Sequence, residues 1–159
     1  INSPGGDVFD AISIHAALVN HAATVHTIVD GMAASAASVV AMAGDRIAME
    51  KPARMMIHDA SGLTWGNEAD HLKNGVLLGS ISHTIAQMYA DRATTGTAAT
   101  WRTAMKAETW YTAAAALDLG LVDEVLNDVA RETSDAPAAL DRRTQLIRAR
   151  ARATLKGGK

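Results

Sequence analysis

Twice before Gly44 an apolar or β-branched run ends at a glycine turn and gives way to a helical pattern, and this alternation constrains the fold more than any other feature. Ile1–Asn2–Ser3 reads as the end of a strand meeting Pro4–Gly5–Gly6, after which Asp7 is placed to cap a helix reaching about Asn20, with Val8, Ile12, Ile14 and Leu18 apolar. From Thr24 to Val29 the residues Val25, Thr27 and Val29 alternate with His26 and Ile28, and the run ends at Asp30–Gly31. The Ala, Ser, Val and Met residues of Ala33–Ala43 predict a buried helix, stopped by Gly44–Asp45. Short strands follow at Arg46–Met49 and Arg54–His58, split by Pro52. Strand and helix alternating in this way predict an α/β fold with a largely parallel sheet.

The longest helical pattern runs from Asn67 or Glu68 to about Arg92, with Leu72, Val76, Ile81, Ile85 and Met88 apolar and Gly75 and Gly79 as weak points. A helix of this length is expected to project from the core. Thr97–Met105 and Ala113–Leu119 read as two further helices and Leu121–Leu126 as a closing strand, so residues 1–126 are expected to form one domain. Beyond it, residues 127–159 read as a linker around Glu132–Pro137 and a basic tail, in which Leu140–Lys159 holds five Arg and two Lys against Asp141. Because the first residue is Ile1 and not Met, an N-terminal truncation is expected.

Composition removes several classes of function. A chain of 159 residues with 48% hydrophobic content closes a single core, and no stretch nears the roughly 18 apolar residues of a membrane span, so no membrane partner is expected. Cysteine is absent, which excludes disulfides and a thiol nucleophile. His15, His21, His26, His71 and His83 show no ligand spacing, and neither a metal nor another cofactor is expected. A formal charge of −2 makes no case for nucleic acid, and the arginine-rich tail reads as a solvated end.

Three segments carry chemistry. Ser35, within Gly31–Met32–Ala33–Ala34–Ser35–Ala36–Ala37, lies between a glycine turn and the expected helix start. Small neighbours would let a peptide reach its hydroxyl, and the Ala36 N–H could point at an oxyanion. The same segment also fits an ordinary small-residue helix. Gly6 follows a strand and could supply a second oxyanion donor, or could simply make a tight turn. His58 ends the apolar run Met55–Met56–Ile57, so a strand would deliver its imidazole to the edge of the sheet, as base or as structural residue.

Together these segments resemble the ClpP family of serine peptidases, whose fold is related to the crotonases. Ile1–Asn2–Ser3–Pro4–Gly5–Gly6 is similar to that family's Gly-rich strand turn, Gly31–Met32–Ala33–Ala34–Ser35 to its nucleophile segment, and Met56–Ile57–His58 to its histidine segment. Trp110–Tyr111–Thr112–Ala113 and Gly120–Leu121–Val122–Asp123 look like its closing helix and strand. The resemblance implies a repeated ββα spiral with a protruding handle helix after Asn67, a Ser35 nucleophile, a His58 base and an oxyanion hole from Gly6 and Ala36. The family usually has Asp two residues before the closing aromatic. Glu108 stands there, and the resemblance implies that it orients the imidazole.

Glu108–Thr109–Trp110, with Asp7–Val8–Phe9–Asp10 and Ala33–Ser38, resembles the phage and prophage branch, often head-maturation proteases. That branch implies capsid or scaffold precursors as polypeptide substrates, a ring-forming homo-oligomer, and the host cytoplasm or the prohead as location. The alternatives are a proteolytic subunit fed by an AAA+ unfoldase and a catalytically silent ring subunit.

Overall fold

The computed structural model describes residues 1–126. The linker and basic tail expected at residues 127–159 lie outside the described residues.

Asp7 opens the first helix as expected: its carboxylate accepts the N–H groups of Phe9 and Asp10, and α1 (Val8–Val19) follows. Two ββα units come next. The first comprises β1 (His26–Val29), β2 (Met32–Ala34) and α2 (Ala36–Ala41); the second comprises β3 (Arg46–Glu50), β4 (Arg54–Ile57) and α3 (Glu68–Arg92). In each unit the glycine or proline turn between the strands sends the second strand into a different sheet. β1 and β3 pair in parallel from His26↔Arg46 to Val29↔Met49, while β2 and β4 pair in parallel from Met32↔Arg54 to Ala34↔Met56. The chain closes with α4 (Ala98–Lys106), β5 (Thr109–Thr112), α5 (Ala113–Asp118) and β6 (Glu124–Leu126). β6 extends the first sheet in parallel and β5 the second in antiparallel, giving the orders β1-β3-β6 and β2-β4-β5. This is the repeated ββα spiral, with its strands divided between two sheets where one largely parallel sheet was expected.

The core lies where the sheets face the helices. Val29, Ile47, Met49, Met55 and Ile57 are wholly buried, and each such side chain contributes roughly 1.5–3 kcal/mol of transfer free energy. Helix α3 has two halves. Its start is capped by Asn67 and Asp70 acting reciprocally, and its first turns are exposed, with Leu72, Val76 and Leu77 facing solvent. From Ile81 onward it is anchored through Ile81, Ile85, Ala86 and Tyr89. It therefore projects from the core as expected. Tyr89, Trp101 and Tyr111 form a tilted aromatic cluster, with ring centroids 6.0 and 6.3 Å apart, that joins α3, α4 and β5.

Three local expectations change. Ala33 and Ala34 belong to β2 and not to a helix, because their backbones pair with Met55 and Met56 on one side and Ala33 bridges Ser3 on the other. Helix α2 consequently starts at Ala36 and has six residues. Thr109–Thr112 is a strand that the reading as helix and closing strand did not separate, and the final strand is confined to Glu124–Leu126.

Candidate active site

Ser35 is the single residue by which β2 becomes α2, and its backbone shows the cost of that change. With φ 55 and ψ −128 it occupies a region that L residues avoid. Its N–H donates to Met56 O at 2.9 Å, and its carbonyl accepts the Ser38 N–H at 3.0 Å and the Ser38 hydroxyl at 2.5 Å. Gly5 packs directly over this turn. A Cβ at Gly5 would lie 2.7 Å from Ser35 Cβ and 2.8 Å from Ala34 O, and Gly5 itself has φ +105, so a side chain there is opposed by both space and conformation.

The bond from Ser35 N–H to Met56 O also fixes the Ser35 segment against the end of β4. His58 is the first residue beyond that strand, and its Nε2 lies 2.6 Å from Ser35 Oγ. The loop carrying His58 is tied down at the next two residues. Asp59 forms an ion pair with Arg102 of α4 at 3.1 Å, and the Ala60 N–H donates to Ser82 Oγ of α3 at 2.9 Å. Asp59 Oδ1 and Arg102 Nη1 are buried with no other partner among the described residues, so the pair is held by one contact.

Ser35 and His58 open onto a cleft of about 340 Å³. Val8, Val39, Ile85 and Tyr89 give it apolar walls, and Gly6, Ala36 and Asp59 reach its surface. Nothing lies within 4 Å of a Cβ placed at Gly6, so the Gly6 backbone faces open space beside the cleft. Ala36 is the first residue of α2, where a backbone N–H has no partner within the helix.

Glu108 stands in the turn between α4 and β5 with φ 48, its N–H donating to Met105 O at 3.0 Å. Antiparallel pairing of Ile57 with Thr109 puts Glu108 one position further, level with His58. Its side chain is exposed and makes no hydrogen bond or ion pair among the described residues. The structure thus brings Ser35 and His58 into contact, sets Gly6 and Ala36 around the same cleft, and leaves Glu108 nearby without a partner among the described residues.

Sequence reasoning passed over Asp59, which simply follows the histidine, and the pair Ser38 and Tyr89. Ser38 Oγ and Tyr89 Oη lie 2.7 Å apart, both in residues almost fully buried, and burial raises the Tyr89 pKa above its usual value. A small polar residue one helical turn after Ser35 was the only available signal for Ser38, and nothing local signalled Tyr89. Among the described residues no group of three or more His, Asp or Glu side chains could hold a metal ion, and no helix is long and apolar enough to cross a membrane.

Comparison with known proteins places the chain in a family. The family model described as Clp protease matches residues 1–129. The ATP-dependent Clp protease proteolytic subunit of Bacteroides fragilis is 33% identical over 129 residues, covering 79% of this chain and 61% of that protein. The subunit of the same name from Bacteroides thetaiotaomicron is also 33% identical over 129 residues, covering 79% of this chain and 58% of its own. That from Chlorella vulgaris is 32% identical over 137 residues, covering 84% and 67% respectively. The chain spans about three fifths of the length of its Bacteroides relatives. By the extent of the family match and the level of these identities, the chain belongs to the Clp protease family.

Proposed function

We propose that this chain is the catalytic part of a serine endopeptidase. The observation that carries the reading is the 2.6 Å contact between Ser35 Oγ and His58 Nε2 at the mouth of a cleft, made by a serine held at a strained strand-to-helix turn. With Nε2 unprotonated, the Ser35 hydroxyl donates to it. As Oγ attacks the scissile carbonyl, His58 takes that proton and then returns it to the leaving amine, and water releases the acyl group by the reverse path. The amides of Gly6 and Ala36 take the developing oxyanion. Glu108 orients the imidazole through Nδ1, which requires its exposed side chain to turn toward His58 from the neighbouring register position. Its place beside His58, with no competing partner among the described residues, supports that role.

For the natural task, the Glu108–Thr109–Trp110 signature supports a phage or prophage head-maturation protease that cuts capsid or scaffold precursors in the prohead or the host cytoplasm. The relatives' names, which describe ATP-dependent proteolytic subunits, favour a second reading in which an AAA+ unfoldase feeds the site. Either task fits a ring-forming homo-oligomer, for which the exposed Leu72, Val76 and Leu77 on α3 offer an apolar contact. The contact between Ser35 and His58 weighs against a silent ring subunit. Labelling of the full-length assembled protein by a fluorophosphonate tests the chemistry. A label on Ser35 that is abolished by His58→Ala is expected, and absence of label on the wild type refutes a serine peptidase. Cleavage of a folded, tagged substrate only with unfoldase and ATP would favour the second task over the first.

A further inference from the structure

Ser38 and Tyr89 are 51 positions apart, sit on different helices, and meet directly behind the nucleophile. Ser38 is 0% exposed and Tyr89 1%. Ser38 Oγ lies 2.5 Å from the Ser35 carbonyl oxygen and 2.7 Å from the Tyr89 hydroxyl. The direction of these bonds follows from proton counting. A carbonyl only accepts, so the one hydroxyl proton of Ser38 goes to Ser35 O, and Tyr89 must then donate to Ser38. Burial raises the Tyr89 pKa, which keeps the phenol protonated and able to donate at working pH. The chain therefore runs from Tyr89 O–H to Ser38 O–H to the Ser35 carbonyl, with the Ser38 N–H at 3.0 Å as a second donor to the same oxygen.

That carbonyl shares its peptide unit with the N–H of Ala36. In a planar trans peptide the C=O and N–H point in opposite directions. Drawing the Ser35 oxygen inward, toward α2 and α3, turns the Ala36 N–H outward, and Ala36 lines the cleft beside Ser35. Density drawn onto the carbonyl oxygen by two donors also polarises the amide and strengthens its N–H as a donor, more so where water is excluded. The phenol is not needed for packing, since the Tyr89 ring is already held against Trp101 at 6.0 Å and a phenylalanine would keep that contact.

We propose that Ser38 and Tyr89 are positioning residues for the oxyanion: their hydroxyls hold the Ser35–Ala36 peptide plane so that the Ala36 N–H faces the cleft. This rests on the peptidase reading above. It also ties the anchored end of α3 to the reacting group by two hydrogen bonds made by hydroxyls behind Ser35, although the Tyr89 ring itself forms part of the cleft wall.

The test uses full-length assembled protein, Tyr89→Phe and Ser38→Ala, a peptide substrate, and a peptidyl aldehyde with its matched alcohol. The aldehyde forms a tetrahedral adduct that needs the oxyanion donors, whereas the alcohol reports only the pocket. Removing a direct oxyanion donor costs about 100- to 1,000-fold, so misaligning one is expected to lower kcat by roughly 3- to 30-fold in Tyr89→Phe. KM should stay within about twofold, and the aldehyde should weaken by the same factor as kcat while the alcohol does not. The pH midpoint of the rate should not move. A lowered melting temperature with an unchanged ratio of aldehyde to alcohol affinity would make the two residues merely structural and overturn the proposal. Should Tyr89→Phe not fold, the same ratio measured on Ser38→Ala decides. A wild type that takes no fluorophosphonate label removes the peptidase reading and this inference with it, while an active wild type with an unchanged ratio in the variants removes this inference alone.

Discussion

If Ser35 is strained as its backbone indicates, glycine should be more stable than alanine at this position, the reverse of the ordinary order. Comparing Ser35→Ala with Ser35→Gly isolates the effect, because both lose the hydroxyl and its contact with His58 Nε2 and differ only in a Cβ. At φ 55 and ψ −128 a residue with a Cβ sits where glycine is favoured, at a cost of about 1–3 kcal/mol. Against this, glycine loses more chain entropy on folding, which opposes it by about 0.5–1 kcal/mol. The balance favours Ser35→Gly by up to roughly 2.5 kcal/mol, and at the middle of the two ranges by about 1 kcal/mol. For a domain of this size that is a rise in melting temperature of roughly 2–8 °C over Ser35→Ala, read by calorimetry at one protomer concentration. Both variants should be inactive toward peptide and fluorophosphonate. An alanine variant more stable than the glycine variant by the ordinary margin of about 0.5–1 kcal/mol would show that the turn carries no strain. The account of Ser35 as a nucleophile held away from its relaxed conformation would then fail.

Glu108→Gln keeps the shape of the side chain and removes its charge, so if Glu108 orients His58 the value of kcat should fall at least tenfold. A fall of less than threefold, under about 1 kcal/mol of barrier, would strip it of that role. Asp123 offers a test in pH. Burial pushes its pKa up, but hydrogen bonds from Arg92 at 2.5 Å and the Ile47 N–H at 2.7 Å, with the charges of Arg92 and Arg46, outweigh this and leave it below 3.8. A depressed carboxyl pKa stabilises the fold fully above the unfolded value and loses that stabilisation as pH falls through the folded value. Asp123→Asn should therefore cost less than about 1 kcal/mol at neutral pH, because the ion pair with Arg92 is partly screened by solvent, and the gap in melting temperature to wild type should close as the pH falls through the lowered pKa. A gap that persists unchanged into acid would mean that the side chain acts by shape and not by charge.

The sequence was most legible where a structural decision is local. Asp7, Asn67 and Thr97 announce their helices because a cap acts over three residues, and the β-branched stretch ending at Val29 and the run Met55–Ile57 announce strands by their own side chains. Ala33 and Ala34 were misread for the complementary reason. Alanine has the strongest helix preference, yet the pair lies in β2 because Ser3 and Met55–Met56 offer hydrogen bonds on both sides. Tertiary pairing overrode local preference at this point, and the override creates the site. A helix running unbroken from Ala33 would have left Ser35 in relaxed helical backbone. Because β2 continues to Ala34 and α2 begins at Ala36, the whole change of direction falls on Ser35. The parallel pairing of β2 with β4 that imposes this change also brings His58 alongside, through the bond from Ser35 N–H to Met56 O. Strain at Ser35 and delivery of His58 are thus two results of one strand pairing. The hydroxyls of Ser38 and Tyr89 brace the same turn from behind, and no local pattern could announce them, because their meeting depends on how α3 returns across the sheets.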